Sequence, residues 1–311
     1  MVEKKQHTSR DLLIHPGEFL AEIIEERGYS QKELAIRTGV TEKHISSVIN
    51  GKSNITNEFA QKLAIALNTS STLWINLQAN YDSELFYIEQ NENITIEERK
   101  TANEIKNLVE IILGYKLNSK QNNEDIHELR RVLGLNNLTI LKNIQFKEGN
   151  YNFSTKESLS DIEIYIYQYL LEQKARNQNV DYFYVERLKK KIHNIKKLMF
   201  EKNDNIIHLL QEELNGSGVY FLVSEQNKLP IDSVTFKTKT KRPLIALTYE
   251  ENEKDKFWFD LFYEIGQIIL RDFNHTKINN EMIKKLDKEA KNFANNALTD
   301  SKIYRINKLC D

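Results

Sequence analysis

Along the first eighty residues, apolar positions recur at three- and four-residue spacing, in short runs separated by single glycines. In "EFLAEIIEERGYS", Phe19, Leu20, Ile23 and Ile24 share one helical face, and Gly28 stands where a helix ends. Ser30 is placed to cap a second helix, "QKELAIRTG", with Glu33 at the capping-box position and Leu34 and Ala35 as its apolar residues. Gly39 closes that helix in a turn needing positive φ. Thr41 caps a third helix, "EKHISSVINGK". In it Ile45, Val48 and Ile49 turn inward, Glu42, Lys43, His44 and Ser47 turn outward, and Asn50 and Gly51 end the run. "NEFAQKLAIALNTS" and "STLWINLQANYD" supply two more amphipathic helices.

The middle of the chain keeps the helical period. "NENITIEERKTANEIKNLVEIILGYKL" reads as a helix pair, with the chain leaving the first helices through polar residues about 82–100. "DIHELRRVLGLNNLTILKNI" reads as a helix, a glycine turn and a short second helix. "SLSDIEIYIYQYLLEQKARNQNV" interleaves Tyr165, Tyr167 and Tyr169 with aliphatics; this is read as a core stripe, the alternative being a nucleotide-stacking surface. "YFYVERLKKKIHNIKKLMF" is helical and basic on one side, read as a solvated face. The period then changes. "GVYFLVS" (218–224), "SVTFKTK" (233–239) and "PLIALTY" (243–249) are β-branched and aromatic runs that predict a small sheet. A helix over 254–272 follows, and a last helix carries "LDKEAKNFANNAL". The expected fold is mainly α: a five-helix domain over 1–82, a helical middle over 83–199, and an α+β domain over 200–311.

Composition narrows this little. Ten glycines and three prolines in 311 residues agree with a helical chain. The lone cysteine, Cys310, excludes an intrachain disulfide and a cysteine-cluster zinc site. No run approaches a signal peptide or membrane span, so the expectation is a cytoplasmic protein without a membrane partner. A net charge of −1 does not point to nucleic acid, but a small DNA reader needs only a local basic patch.

Two short helices joined by a glycine turn inside a five-helix set is the helix-turn-helix plan. The third helix can enter a major groove by its N-terminus, with residues of its first turns reaching base edges. Gln31 and Thr41, at helix N-termini, can bond phosphates, and Lys52 can add another phosphate contact. "HPGEFLAEII" (15–24), "SQKELAIRTGV" (30–40), "ISSVINGK" (45–52) and "ALNTSSTLWINLQANYD" (66–82) together resemble the XRE (Cro-repressor-type) helix-turn-helix family, and within it the HigA-type antitoxins. The resemblance implies base reading by Glu42, Lys43 and Ser47, and backbone contacts by Gln31, Thr41, Asn50 and Lys52. His44 is placed as a solvated residue or phosphate neighbour. It further implies a homodimer on double-stranded operator DNA, autorepression, and a toxin partner of the RelE/HigB type.

In "FWFDLFYEIGQIILRDFNH" (257–275) a glutamate stands inside an apolar helix. With the three strand runs before it and "DKEAKNFA" after it, the segment resembles the ImmA/IrrE metallopeptidase-like family over roughly 200–300. That family implies a zincin-like fold and a zinc helix with two histidines one turn apart, a catalytic glutamate between them and an acidic ligand from the next helix. Matched to this chain, the histidines fall on Tyr263 and Gln267, the glutamate on Glu264 and the later acid on Glu289. A phenol and a neutral amide are poor zinc ligands at pH 7. The expectation is a pseudo-peptidase with no cofactor and a vestigial Glu264, serving to bind a partner or signal. The alternative is an active zinc peptidase that cleaves a repressor, with His275 as a rescuing ligand.

Overall fold

The computed structural model describes residues 10–117, 123–144, 149–153, 159–201, 205–224, 229–249, 253–270 and 280–310. The chain divides into two compact units, residues 1–96 and 97–311. Among the described residues, helices predominate and one small sheet lies in the second unit.

In the first unit a short 3-10 turn (Arg10–Leu12) precedes helices α1 (Pro16–Glu26), α2 (Gln31–Thr38), α3 (Glu42–Ile49), α4 (Asn57–Leu67) and α5 (Ser71–Glu92). Local chemistry sets their ends. Ser30, Thr41 and Thr56 each accept a hydrogen bond from a first-turn N–H of α2, α3 and α4. Gly39 ends α2 at φ 64°, in the left-handed region open to glycine. One expected detail differs: Glu33 does not return to Ser30 to complete a capping box. Its carboxylate accepts from the Arg37 guanidinium at 2.8 Å, one turn along the helix. The core is Leu20, Leu34, Ile45, Val48, Leu63, Leu67 and Trp74, all fully buried. Helix α5 runs unbroken through residue 82, where the sequence reading ends its first domain.

The second unit contains α6 (Ile96–Leu113), α7 (Glu124–Leu133), a 3-10 turn (Leu138–Asn143), β1 (Gly149–Phe153), α8 (Asp161–Ala175), α9 (Val185–Leu198), α10 (Ile206–Asn215), β2 (Tyr220–Ser224), β3 (Ile231–Lys237), β4 (Pro243–Thr248), α11 (Lys254–Leu270) and α12 (Asn280–Cys310). The three predicted strands are present, and β1 is a fourth that the sequence reading lacks. The sheet order is β1-β3-β4-β2; β3 pairs antiparallel with β1 and β4, and β2 pairs parallel with β4. Alternation along β4 sorts the core into two layers. Ile245 and Leu247 pack with α9, α10, α11 and α12. Leu244 and Ala246 pack with Val234, Phe236 and the α8 residues Leu171 and Ala175. Helix α11 therefore lies on one face of the sheet, against β3 and β4.

A buried ion pair anchors the start of this unit. Arg130 donates to both carboxylate oxygens of Glu98, at 2.8 and 2.7 Å, and the Leu138 N–H adds a third bond at 2.9 Å. Glu98 is fully buried, and these bonds hold its carboxyl below its ordinary value against the opposing effect of burial.

Candidate nucleic-acid interface and buried carboxylate strip

The N-terminal unit positions α3 through the segment "HPGE". His15 caps α1: its Nδ1 accepts from the Gly17 N–H at 2.9 Å, and the Glu18 carboxylate returns to the His15 N–H. An accepting Nδ1 requires the neutral ring. Burial pushes the His15 pKa down, opposed by Glu18 and Asp82. Gly17 lies directly on the end of α3: a Cβ there would stand 1.8 Å from the Val48 carbonyl oxygen. Behind it, the His15 ring meets Tyr81 edge to face at 4.7 Å. Gln78 accepts from the Ile55 N–H at 2.8 Å and donates to Asp82 at 2.9 Å. The Trp74 indole donates to Thr69 at 2.9 Å. The flanking motif residues His15, Gly17, Trp74, Gln78, Tyr81 and Asp82 thus brace α3 and the loop after it.

On the outer side Thr41, Glu42, Lys43, Asn50 and Lys52 are exposed, and Gln31, at the start of α2, is half-buried. Thr41 Oγ1 accepts from the His44 N–H at 3.2 Å. Asn50 donates to the Ser46 carbonyl at 2.7 Å. Two expected outward residues are held closer. His44 is half-buried, its ring edge-on to Phe59 at 4.9 Å, because α4 crosses beside it. Ser47 is half-buried and shares a hydrogen bond with Ser53 at 2.7 Å. Exposed Glu42 and Lys43 therefore lead the N-terminal turn of α3, with Gln31 and Thr41 at helix starts and Asn50 and Lys52 at the far end. This is the arrangement in which a helix N-terminus meets phosphate while its first turn reads base edges.

In the second unit, Asp260, Glu264 and Gln267 line one face of α11, spaced four and three residues apart, and all three are buried. Glu264, fully buried, accepts from Ser233 Oγ at 2.6 Å. Asp260 accepts from the Asn152 amide at 3.3 Å. Burial, with the like charge of Asp232, pushes the Asp260 pKa up to about 7. Asp232 is held by Lys256 at 2.8 Å. Both side-chain polar atoms of Gln267, and Thr235 Oγ1, are buried with no hydrogen-bond partner among the described residues. Tyr263, one position round the helix, donates its hydroxyl to Asp287 of α12 at 2.6 Å.

The α12 acid bonded to Tyr263 is Asp287; Glu289, the position matched by resemblance, is half-exposed and lies 4.0 Å from Lys285. Gly266 meets α12, where a Cβ would stand 3.1 Å from the Phe293 ring and 3.3 Å from Ala290 Cα. His275 lies outside the described residues. Sequence reasoning missed Asp232, Asp260 and Asp287; an aspartate inside "FWFDLF" is the signal that marks the second of these.

Comparison with known proteins bears on the N-terminal unit. The family model described as helix-turn-helix matches residues 20–74. A curated Escherichia coli (strain K12) protein, the uncharacterized HTH-type transcriptional regulator YddM, is 32% identical over 63 residues, 20% of this chain and 67% of that one. Among solved structures, PA4674 of Pseudomonas aeruginosa, in complex with its operator DNA, is 30% identical over 26% of this chain and 85% of its own, at a TM-score of 0.24. The antitoxin HigA of Pseudomonas aeruginosa, with the higBA promoter, is 27% identical over 27% of this chain and 97% of its own, at a TM-score of 0.25. Among the described residues no helix is long and apolar enough to cross a membrane. Through its first unit, the chain belongs to the helix-turn-helix family of DNA-binding transcriptional regulators.

Proposed function

We propose that this protein is an operator-binding autorepressor of the HigA antitoxin type, acting as a homodimer, whose C-terminal unit is a metallopeptidase-like domain that binds a partner or signal without cleaving it. The carrying observation is the seating of α3: Gly17 and His15 fix its end, while Glu42 and Lys43 stand free at its start. Two such helices, related by a dimer axis, meet half-sites about one DNA turn apart. Lys43 is suited to guanine acceptors and Glu42 to a cytosine amino group. Gln31, Thr41, Asn50 and Lys52 supply the phosphate contacts that set register. The motif segments shared with HigA-type antitoxins support the autorepressor reading and a co-encoded ribonuclease toxin of the RelE/HigB type as partner.

The pseudo-peptidase reading rests on the donor set. Where a zinc helix carries two imidazoles, this chain has Tyr263, whose hydroxyl is engaged by Asp287, and Gln267, a neutral amide. Glu264 is fully buried and bonded to Ser233, not poised over an open site. Shift of a labelled duplex from the adjacent promoter tests the first half: saturable retardation at low salt is expected, and its absence there refutes operator binding. Metal content of protein purified without chelator tests the second. Stoichiometric zinc, together with protease activity lost in Glu264→Gln, would establish the enzyme instead.

A further inference from the structure

The second unit also carries a cationic and aromatic surface that the proposed function does not use. Residues 181–184 form an irregular segment that enters α9, with Tyr184 in extended backbone at φ −136° and ψ 120°. Their placement is built in: Asp181 N–H bonds the Asn215 carbonyl at 3.1 Å, and Gly218, at φ 86°, lets Phe183 lie so close that a Cβ would stand 2.3 Å from its Cα. Phe183 packs against the core, while its neighbours Tyr182 and Tyr184 stand outward. They are 75% and 59% exposed, among the most exposed large side chains of the unit. Each lies beneath a guanidinium, Arg242 at 5.3 Å and Arg187 at 5.4 Å from the ring centre.

Arg242 belongs to the β3–β4 hairpin, where "KTKTKR" (237–242) places four cations in six residues without an acid. The hairpin is held by Thr238, which donates to the Arg242 carbonyl at 2.8 Å, and by the Lys239 N–H on Glu172 at 3.1 Å. Lys239 reaches over Tyr169 at 5.4 Å. Among the described residues Lys239, Lys241 and Arg242 form no ion pair, whereas Arg187 is paired with Asp181 at 3.0 Å. Unpaired cations on a fixed turn, flanked by exposed rings mounted on a fixed segment, are the parts of a single-strand binding platform: phosphates on the cations, bases on the rings. A duplex, whose bases are already stacked, has no use for the tyrosines.

We propose that Tyr182, Tyr184 and the 238–242 hairpin form a second nucleic-acid site, which takes single-stranded nucleic acid independently of the helix-turn-helix. The test is fluorescence anisotropy of the full-length protein with labelled 20-nucleotide oligo-dT across a salt series. Wild type is expected to bind saturably. The triple variant Lys239→Gln/Lys241→Gln/Arg242→Gln is expected to lower the log–log salt slope by about 2 units, three contacts at ~0.7 each. Tyr182→Ala/Tyr184→Ala is expected to weaken binding at least ~10-fold with the slope unchanged, and Tyr182→Phe/Tyr184→Phe to restore it. Lys43→Ala/Lys52→Ala, which alters the helix-turn-helix alone, is expected to leave oligo-dT binding intact. The proposal is overturned if wild type shows no saturable binding, or if the Lys43/Lys52 variant loses it while the hairpin variants keep it. Displacement by polyglutamate as effective as by unlabelled oligo-dT would overturn it too, since charge alone would then suffice.

Discussion

Gly17→Ala tests the claim that "HPGE" holds the recognition helix. The added methyl carbon would stand 1.8 Å from the Val48 carbonyl oxygen, 2.7 Å from its carbon and 2.9 Å from His15 Nδ1. Ordinary C···O contact begins near ~3.3 Å, so α1 and α3 must part by on the order of 1.5 Å. The obstruction is main chain, so no rotamer change relieves it. Overpacking of this kind costs ~1–3 kcal/mol, and displacing His15 forfeits the Gly17 cap bond for about 1 more. Alanine's better helix propensity returns under ~1 kcal/mol. The net expectation is ~2–3 kcal/mol of destabilisation confined to the first unit. Trp74 reports that unit and Trp258 the other, so urea unfolding is followed by Trp74 fluorescence in a Trp258→Phe background. Gly28→Ala is the matched control: its φ is 68°, but a Cβ there meets nothing within 4 Å, so it pays only the left-handed strain of ~1–2 kcal/mol. Gly17→Ala is also expected to lose operator affinity because α3 moves, whereas Gly28→Ala keeps it. A Gly17→Ala protein with wild-type midpoint and wild-type operator affinity refutes the reasoning.

Other expectations follow from the same structure. Lys43→Ala is expected to cost ~1–3 kcal/mol on operator and much less on random duplex in anisotropy titrations; an equal loss on both removes Lys43 from base reading. Because the folded His15 pKa is depressed, its contribution is present above its unfolded value near 6.5 and lost as pH falls through the folded one, so Trp74-monitored stability is expected to drop on acidification, and less so in His15→Asn. Asp260 has the opposite sign: its folded pKa is raised to about 7, so it favours folding at low pH and that advantage is lost between its unfolded value near 4 and 7. Asp260→Asn is then expected to gain stability over wild type across that window, by on the order of 2–4 kcal/mol at pH 8, measured by urea unfolding followed at Trp258. Arg130→Ala leaves the fully buried Glu98 carboxylate without its guanidinium and is expected to cost ~3–5 kcal/mol in the same assay.

The sequence reading succeeded where structure is decided within a few residues. Ser30 and Thr41 cap helices because a hydroxyl bonds an N–H two or three residues on, and Gly39 ends one because its φ is positive. It missed what distant contacts decide. His44 lies on the outward side of an isolated α3, but Phe59, fifteen residues on, covers its ring. Strand β1, "GNYNF", has too little apolar alternation to announce itself; it is a strand because β3 offers an unpaired edge. The α12 acid that bonds Tyr263, Asp287, stands two residues before Glu289, the position matched by resemblance. Two residues turn a helix through ~200°, which separates a side chain facing α11 from one facing solvent. Asp287 and Glu289 fall on those two sides.

The strip on α11 is energetically odd for a structural helix. Replacing paired buried polar groups by apolar ones of similar shape is often neutral or stabilising, and an unpartnered buried amide costs ~1–3 kcal/mol. Glu264 and Tyr263 are satisfied within the fold, by Ser233 and Asp287, so their cost is offset locally. Gln267 and Thr235 are not. Ser233 and Thr235, two apart on β3, share its face toward α11, and Gln267 follows Glu264 by about one turn, so the unsatisfied groups continue the line of satisfied ones. The neighbours of this strip, Phe262, Ile265 and Ile268, are buried and apolar, so nothing in the packing itself calls for amide or hydroxyl. A helix under no demand except stability would extend that apolar character across the strip. The strip therefore answers to something besides packing; on the pseudo-peptidase reading proposed above, it is a buried row of donors and acceptors that serves hydrogen-bonded recognition.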